Sequence, residues 1–536
     1  MTAFAKTCIV PAFAAACLLI SSSASAQFAN TGPAPTPTPE LVQPAGTKLP
    51  FTIGKDTTVI TKPLKADGTP DYMAAIEAAA SKGITLDNYA PGNNAAVLLV
   101  YTLGPKAFLN PQYVTKTMEL LHIGIDECLK PLDLEAFNQL PQEARDAAMA
   151  GPWKAADHPQ IAEWLKANDQ ALRLGIKASE RSRFYLPLMP AGHQGIMMEV
   201  LMPNMTPVRA LGRALIMRSN LALAEGRVSD AWDDIKAVDR LGSLLGQDST
   251  LIGRLASLSV TSMADKAAIR LAASGKMDQR TSQAALAAIR SMPPTAEVIS
   301  AVDGGERFVE LDAMMHLARA TPAGRREFLR MIQSIASVQS LVAPRPAAAS
   351  SSSPATSAPA ESNTARMNES NVILATLTDK EMNEAADWNA GLRRVNEYYD
   401  RVVAGMRMTD LSKRREAADA LRKWLTELQR SLRTMPDPGT QAYRDYVPKV
   451  MLTVFAPDFG TAQLLADRAA NDRRRAVIAI ALASYKADQG HYPAKLADLV
   501  DKYLKQVPQD AWGKPFVYKT QDKDCVLTDP NEATIK

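Results

Sequence analysis

The sequence predicts a mainly α-helical protein, built as a helical bundle or an irregular α-solenoid, with a small α+β module at its C-terminal end. Apolar residues recur at helical spacing in long segments that end at Gly or Pro. Aromatic residues make up only 6% of the chain while hydrophobic residues make up 46%, which favours closely packed helices over a sheet sandwich. Near residue 490 the helical period gives way to turn residues and a short β-prone run.

The N-terminus has the features of a cleaved export signal over residues 1–26. Lys6 supplies the positive start, Cys8–Ile20 is a short apolar stretch, and Ala24-Ser25-Ala26 is an A-x-A cleavage site. A membrane anchor is the alternative, but an apolar stretch this short is well under the roughly 20 residues that span a bilayer. We therefore expect a mature chain without a membrane span, located in the periplasm or cell envelope or secreted.

Two stretches rich in Pro and small residues divide the mature chain. Residues 27–50 predict an extended tether, and residues 343–370 (APRPAAASSSSPATSAPAESNTARMNES) predict a disordered linker, because they bury too little apolar surface to offset chain entropy. The expected units are therefore a helical domain at 51–342, a helical segment at 371–460, and a long helix with the C-terminal module at 461–536.

Within the helical domain, β-branched residues at 57–64 (TTVITKPL) predict a short strand, and residues 160–179 predict a helix. Residues 208–246 predict two antiparallel helices joined near Gly226. The spacing LALAEGRVSDAW in this hairpin resembles one tetratricopeptide repeat. Two further copies at that period are not evident in the sequence, so an ordinary helical hairpin remains the alternative.

The stretch SYKADQGHYPAKLADLVDKYLKQVPQDAWGKPFVY, residues 484–518, predicts a helix that ends at a glycine, a short second helix, a turn and a strand. It resembles the C-terminal region of major pseudopilins of type II secretion, although Ala511 and Phe516 replace the usual Pro and Tyr. The residues expected to be structural in this module are Gly490, Tyr492, Pro493, Asp510, Trp512, Gly513, Pro515 and Tyr518.

The resemblance to pseudopilins does not extend to the N-terminus, which lacks the prepilin motif and its long apolar helix. It implies a calcium site in an acidic C-terminal loop, for which the weak candidates are Asp522, Asp524, Asp529 and Glu532. A solvated, charged terminus is the alternative, because oxygen ligands must converge on calcium from several directions.

The wider chain is similar to a group of exported bacterial helical proteins for which we know no established activity. The matching stretches are TTVITKPLKADGTPDYMAAI, NNAAVLLVYTLGP, AEWLKAND, LAEGRVSDAWDDI and the C-terminal module. This resemblance implies architecture and export only.

Catalytic motifs are scarce, and only five histidines are present. The segment GERFVELDAMMHLAR places Glu306 and Glu310 one helical turn apart, and likewise Asp312 and His316. Such pairs could hold a general base or one edge of a metal site, and a solvated helix face is the alternative. These four residues are the weak catalytic candidates, and no cofactor is predicted.

After signal cleavage two cysteines remain, Cys128 and Cys525. In an oxidising compartment they could form a disulfide, and two separately buried thiols are the alternative.

The net charge of +4 is too mild to indicate a nucleic-acid partner. Taken together, the sequence favours a non-enzymatic helical scaffold or interaction module with an envelope protein as its partner. Two alternatives stay open: an exported hydrolase that uses the carboxylates and His316, and a component associated with a type II secretion pseudopilus.

Overall fold

The computed structural model describes residues 46–85, 92–124, 130–190, 196–201, 204–321, 323–325, 327–328, 386–455, 459–521 and 524–530. The predicted signal at 1–26, most of the tether at 27–50 and the predicted linker at 343–370 lie outside these residues.

The described residues are mainly helical, which confirms the predicted fold class. The α-helices are α1 (Tyr72–Ala80), α2 (Ala95–Leu103), α3 (Pro105–Phe108), α4 (Val114–Leu120), α5 (Leu134–Gln139), α6 (Gln142–Ala150), α7 (Pro159–Ala167), α8 (Asp169–Ser179), α9 (Thr206–Ala224), α10 (Val228–Leu245), α11 (Leu251–Ala273), α12 (Gln279–Ser291), α13 (Arg307–Arg319), α14 (Trp388–Met406), α15 (Leu411–Arg430), α16 (Gln441–Arg444), α17 (Tyr446–Phe455) and α18 (Gly460–Gln489). A π-helix at Ala301–Glu306 precedes α13, and 3₁₀ helices lie at Met197–Glu199 and Leu496–Leu499.

In the described ranges four short strands form two antiparallel pairs. These are β1 (Met189–Pro190) with β2 (Val200–Leu201), and β3 (Val517–Gln521) with β4 (Asp524–Thr528). In the second pair Val517 lies opposite Thr528 and Thr520 lies opposite Cys525. Tyr518, Cys525 and Leu527 pack against the hydrophobic core, so one face of this hairpin is covered.

The expected hairpin at 208–246 is formed by α9 and α10. Gly226 lies between the two helices with φ +81°, a left-handed conformation that glycine adopts without steric cost. Ala231, Ile235, Val238 and Leu241 are all buried along one side of α10. The hairpin therefore presents a continuous apolar stripe to its neighbours.

The strand predicted at 57–64 is wrong: these residues form turns, and their one bridge joins Leu64 to Pro70. Val59 has φ +62°, and the N–H of Ile60 donates to the carbonyl of Thr58 at 2.6 Å. This is a strained γ-turn, which an extended strand cannot contain. The side chain of Asn396 on α14 fixes the turn by donating to the carbonyl of Thr57 at 2.9 Å. Tertiary contacts have overridden the local β-propensity.

The helix predicted at 160–179 is broken at Asn168, where α7 ends and α8 begins. The side-chain amide of Asn168 donates to the carbonyl of Trp164 at 2.9 Å, and its oxygen accepts from the N–H of Asp133 at 2.8 Å. Asn competes in this way with the helical hydrogen-bond pattern, and the chain turns there.

Two hydrophobic cores contain residues from both sides of 329–385. The first core joins residues between 95 and 289 to residues between 476 and 516. The second core joins residues 51–72 and 298–328 to residues 388–469. Helix α18, about 45 Å long at 1.5 Å per residue, contributes Ala462 and Ala469 to the second core and Ile478 and Leu482 to the first. The long C-terminal helix therefore connects the two cores.

Candidate functional site

The four catalytic candidates predicted from sequence lie at the start of α13 and along it, in two groups. Successive residues of an α-helix are rotated by about 100°, so Glu306 and Glu310 share one side while Asp312 and His316 share another, about 120° further round the helix. Glu306 is the last residue of the π-helix that leads into α13. The structure thus pairs these residues as the sequence predicts, but it does not bring the four together.

The first group faces α14. Glu310 is only 3% exposed, and among the described residues no group meets normal hydrogen-bond geometry at either of its carboxyl oxygens. The hydroxyl of Tyr399 is the donor that faces it, at looser geometry. Burial raises the pKa of Glu310 to about 8, and the hydrogen bond from Tyr399 opposes that rise only in part. The carboxyl group is therefore largely protonated at neutral pH.

Glu306 lies one turn earlier, beside the start of α11. Burial raises the pKa of Glu306 to about 7, and a hydrogen bond from the backbone of Leu251 opposes the rise. Because Leu251 is the first residue of α11, the carboxyl group of Glu306 accepts a hydrogen bond from a backbone N–H that has no partner within the helix.

The second group faces the N-terminal segment, residues 51–72. Asp312 is 3% exposed; its Oδ1 lies 3.0 Å from Nζ of Lys65, and its Oδ2 accepts from the N–H of Met197 at 2.8 Å. Burial raises the pKa of Asp312, and the charge of Lys65 opposes the rise. The carboxyl group of Asp312 is thus engaged by partners inside the fold.

His316 lies one turn beyond Asp312, with its ring 5.5 Å from the ring of Phe328. Burial lowers the pKa of His316 to about 4, and the positive charges of Lys65 and Arg319 lower it further. Among the described residues, Nε2 of His316 has no hydrogen-bond partner. The imidazole is neutral at pH 7 and packs as a largely apolar ring.

A further ion pair joins this side of α13 to the N-terminal segment. Arg319, which is buried, pairs with Asp67, and the carboxylate of Asp67 also accepts from the N–H of Thr69 at 2.9 Å. Together with Lys65, these residues fasten the N-terminal segment onto α13. The sequence analysis missed Lys65, Asp67 and Tyr399, because each lies far from α13 along the chain and belongs to no recognisable spacing.

A second buried polar cluster, also missed from sequence, lies where α10, α11 and α18 meet. The guanidinium of Arg473 pairs with Asp239, and its Nε lies 3.0 Å from Oδ1 of Asp265. Both carboxylates are only 2% exposed. Burial raises the pKa of Asp265 well above its usual value, and the nearby charge of Asp472 raises it further. The sequence offered one sign of this cluster: Asp239 and Asp265 are charged residues that lie among the apolar positions of their helices.

The residues expected to be structural in the C-terminal module lie at its turns. Gly490 follows α18 with φ +79°, and its N–H donates to the carbonyl of Lys486 at 2.8 Å. Nζ of Lys486 lies 4.4 Å from the centre of the Tyr492 ring. The hydroxyl of Tyr518 donates to the carbonyl of Pro493 at 2.8 Å. These contacts join the end of the helix to the hairpin.

The turn before β3 is organised by Asp510. Its Oδ1 accepts from the N–H of Trp512 at 2.9 Å and from the N–H of Lys514 at 2.7 Å, and Gly513 adopts φ +79°. Gln509 and Pro515 then form an isolated antiparallel bridge. The turn therefore returns the chain towards α18.

The weak calcium candidates do not form a described site. Asp522 and Glu532 lie outside the described residues, Asp524 lies opposite Gln521, and Oδ2 of Asp529 accepts from Asn471 at 2.5 Å. In the part of the chain that the structure describes, no three His, Cys, Asp or Glu side chains are grouped as metal ligands. Calcium binding stays a prediction.

The disulfide between Cys128 and Cys525 also stays a prediction. Cys525 lies on β4, partly buried, while Cys128 lies outside the described residues. A mass measurement with and without reduction and alkylation would separate the two alternatives: two alkylated thiols without reduction would exclude the disulfide.

Comparisons with known proteins assign no family to this arrangement. No protein-family model, curated protein or solved structure matches the chain. Within the described ranges, none of the helices combines the length and the apolar character that crossing a membrane requires.

Proposed function

We propose that the protein is a non-enzymatic, exported helical scaffold, an interaction module of the cell envelope. The observation that carries this proposal is that two of the four acid–base groups, Glu310 and Asp312, are buried inside the fold. Glu310 and Asp312 are each 3% exposed, and a general acid or base must come within hydrogen-bond reach of a substrate. Lys65 faces Asp312 and Tyr399 faces Glu310, so both carboxyl groups are engaged by side chains of the protein itself.

The surface of the helical body supports the same proposal. On α15 the exposed side chains are mostly charged, and only Leu428 and Gln429 of that helix are buried. Its half-buried Trp424 lies under the guanidinium of Arg401 on α14, at 5.2 Å from the ring centre. Packed helix pairs of this kind offer grooves and charged edges that suit a protein partner.

The experiment is a search for that partner in the native envelope. The full chain, tagged at its C-terminus, would be crosslinked in intact cells, and the proteins that co-purify would be identified by mass spectrometry. A matched control lacks residues 2–26, so that it is not exported. We expect a reproducible, near-stoichiometric envelope protein with the full chain and its loss with the control. A solitary protein in both samples would contradict the proposal.

One observation favours a second candidate, an exported hydrolase. The pKa values of about 7 for Glu306 and about 8 for Glu310 lie in the range that suits a general acid at neutral pH. The test is a hydrolase substrate screen with the full chain and with a variant in which Glu306 and Glu310 are Gln and Asp312 and His316 are Asn. Hydrolysis by the full chain that this variant lacks would favour this candidate. Equal rates in both would remove these residues from any catalytic role.

The C-terminal module supports a third candidate, a component associated with a type II secretion pseudopilus. The sequence resemblance to major pseudopilins is accompanied here by a 30-residue helix, a left-handed Gly490 and a two-stranded hairpin. Deleting residues 490–536 would then lower secretion of type II substrates while the remaining chain is still exported. Unchanged secretion would contradict this candidate.

A further inference from the structure

The contact between α13 and α14 contains a buried carboxyl group without a cation. Glu310 is 3% exposed, and the side chain that faces it from α14 is the hydroxyl of Tyr399. Tyr399 is itself 2% exposed, and burial, followed by the charge of Glu310, raises its pKa well above the usual value. Neither side chain can therefore neutralise a charge on the other at neutral pH.

The nearest cation along α13 is Arg307, and its charge is already used. Its guanidinium lies 2.7 Å from Asp303 and 2.8 Å from Asp400, and it also lies over the ring of Tyr399, 5.6 Å from the ring centre. Arg407, at the end of α14, lies 3.7 Å from the same Asp303. The cations at this contact are thus paired with carboxylates other than Glu310.

The other titratable groups around Glu310 add negative charge or none. Glu306 lies on the same side of α13, and both Glu306 and Tyr398 act on Tyr399 together with Glu310. On α17, which also packs on α13, Lys449 lies beside Arg394 and Asp445. The cations that face α13 from the N-terminal segment, Lys65 among them, meet a different side of the helix, at Asp312. An ionised Glu310 would therefore be an uncompensated buried charge.

A single π-helical turn, Ala301–Glu306, precedes α13 and contains two adjacent glycines. A Cβ added at Gly304 would meet no atom within 4 Å, whereas one at Gly305 would lie 3.0 Å from the carbonyl oxygen of Ser249. Single π-helical turns are rare and are frequent at functional positions. Ala301 and Val302 of the same turn are buried in the second core, so the free space at this turn is limited to Gly304.

We propose that the contact between α13 and α14 is a proton-dependent latch, closed while the carboxyl group of Glu310 carries its proton and loosened when that proton is lost. Opening releases one proton from Glu310 to water. The latch goes beyond the scaffold proposal and does not depend on it. It holds α14, the helix on which α15 packs, so its opening would alter the part of the surface that α15 provides.

The sign of the pH dependence follows from the raised pKa. The closed state keeps the proton up to about pH 8, while the open state releases it near the usual value of 4.5. Between these limits the opening equilibrium constant rises about tenfold per pH unit, and above the closed-state pKa it levels off. The stabilising effect is complete below the usual pKa and is lost as pH rises towards the folded value.

Hydrogen exchange measured by mass spectrometry tests the latch on the full chain. Peptides from α13 and α14 would be followed between about pH 5.5 and 8.5, with exposure times scaled for the intrinsic exchange rate. We expect their protection to fall about tenfold per pH unit up to about pH 8 and then to level off. Glu310→Gln cannot ionise, so its protection should fall less with pH than that of the wild type, and the fall should end near pH 7, where the raised pKa of Glu306 lies. Wild-type protection that is constant over this range would overturn the proposal, as would an unchanged fall in Glu310→Gln.

Two further variants serve as a control and as a second test of the latch. Glu77→Gln is the matched control, because Glu77 is a half-buried carboxyl group beside a tyrosine, with hydrogen bonds from Tyr185 at 2.5 Å and from the N–H of Leu188 at 2.6 Å. Its α13 and α14 peptides should behave as in the wild type. Tyr399→Phe, which serves if Glu310→Gln fails to fold, removes the donor that favours ionised Glu310. It should move the levelling-off to higher pH, and an unmoved profile would contradict the latch.

Discussion

Replacing Arg473 by methionine tests how the long C-terminal helix is held between α10 and α11. The guanidinium of Arg473 is shared by Asp239 and Asp265, both buried, and the change leaves two carboxylates there without a cation. Removing one partner of a buried ion pair destabilises a protein by about 3–5 kcal/mol, because the remaining charge is uncompensated.

The loss of stability in Arg473→Met can be estimated from the carboxyl group that is left without a cation. In the variant Asp239 must take up a proton in order to stay buried. For a carboxyl group with an unfolded pKa near 3.9 this costs about 4 kcal/mol at pH 7 and about 2 kcal/mol at pH 5. The folded variant then holds a proton that the unfolded chain releases, so the loss of stability shrinks as pH falls.

Urea unfolding at pH 7 and pH 5, followed by circular dichroism, measures this difference. Arg474→Met is the matched control on the same helix, because the contact of Arg474 is a long 3.4 Å hydrogen bond to Asn471. We expect it to cost under about 1 kcal/mol. The reasoning would be refuted if Arg473→Met also cost under about 1 kcal/mol at pH 7, or if its cost were the same at both pH values.

Two smaller changes probe other parts of the fold by the same unfolding assay. His316→Leu should make the protein less sensitive to acid. Because burial lowers the pKa of His316 to about 4, the wild type has stability that is present above about pH 6.5 and is lost towards pH 4; the loss is about 2 kcal/mol after allowance for solvent at the partly exposed ring. An unchanged dependence of stability on acid pH in the variant would argue against this role of His316. Gly242→Ala should cost about 2–3 kcal/mol, because the new Cβ would lie 2.6 Å from Cγ2 of Thr261, whereas Gly405→Ala, whose Cβ would lie 3.6 Å from Ala417, should be neutral or stabilising. Equal stability of these two glycine variants would contradict the packing between α10 and α11.

The helices could be predicted because their signals are local. Apolar spacing and the glycine turn at Gly226 determine the α9–α10 hairpin within 40 residues of chain, and Gly490 ends α18 in the same way. The strand prediction at 57–64 failed because the turn that contains the left-handed Val59 is held at Thr57 by Asn396 of α14, more than 300 residues away. Propensity contains no information about such a contact.

Only those parts of the candidate site that lie on a single helix could be predicted from the sequence. The i,i+4 pairs on α13 follow from helical geometry, but the partners that decide their chemistry do not. Lys65 reaches Asp312 across 247 residues, and Arg473 reaches Asp239 across 234. Charge pairs at such separations depend on the tertiary fold, so neither the pairing nor the resulting pKa shifts can be obtained from spacing.

The central structural claim is that buried charged residues and two shared cores join the parts of the chain before and after the predicted linker. For the most direct measurement, one specific protease site is inserted within residues 343–370. The folded chain is then cleaved there, and the products are analysed by native mass spectrometry. The account predicts a one-to-one complex of the two fragments that comes apart only in denaturant, and earlier in the Arg473→Met variant. Fragments that separate under native conditions would contradict it.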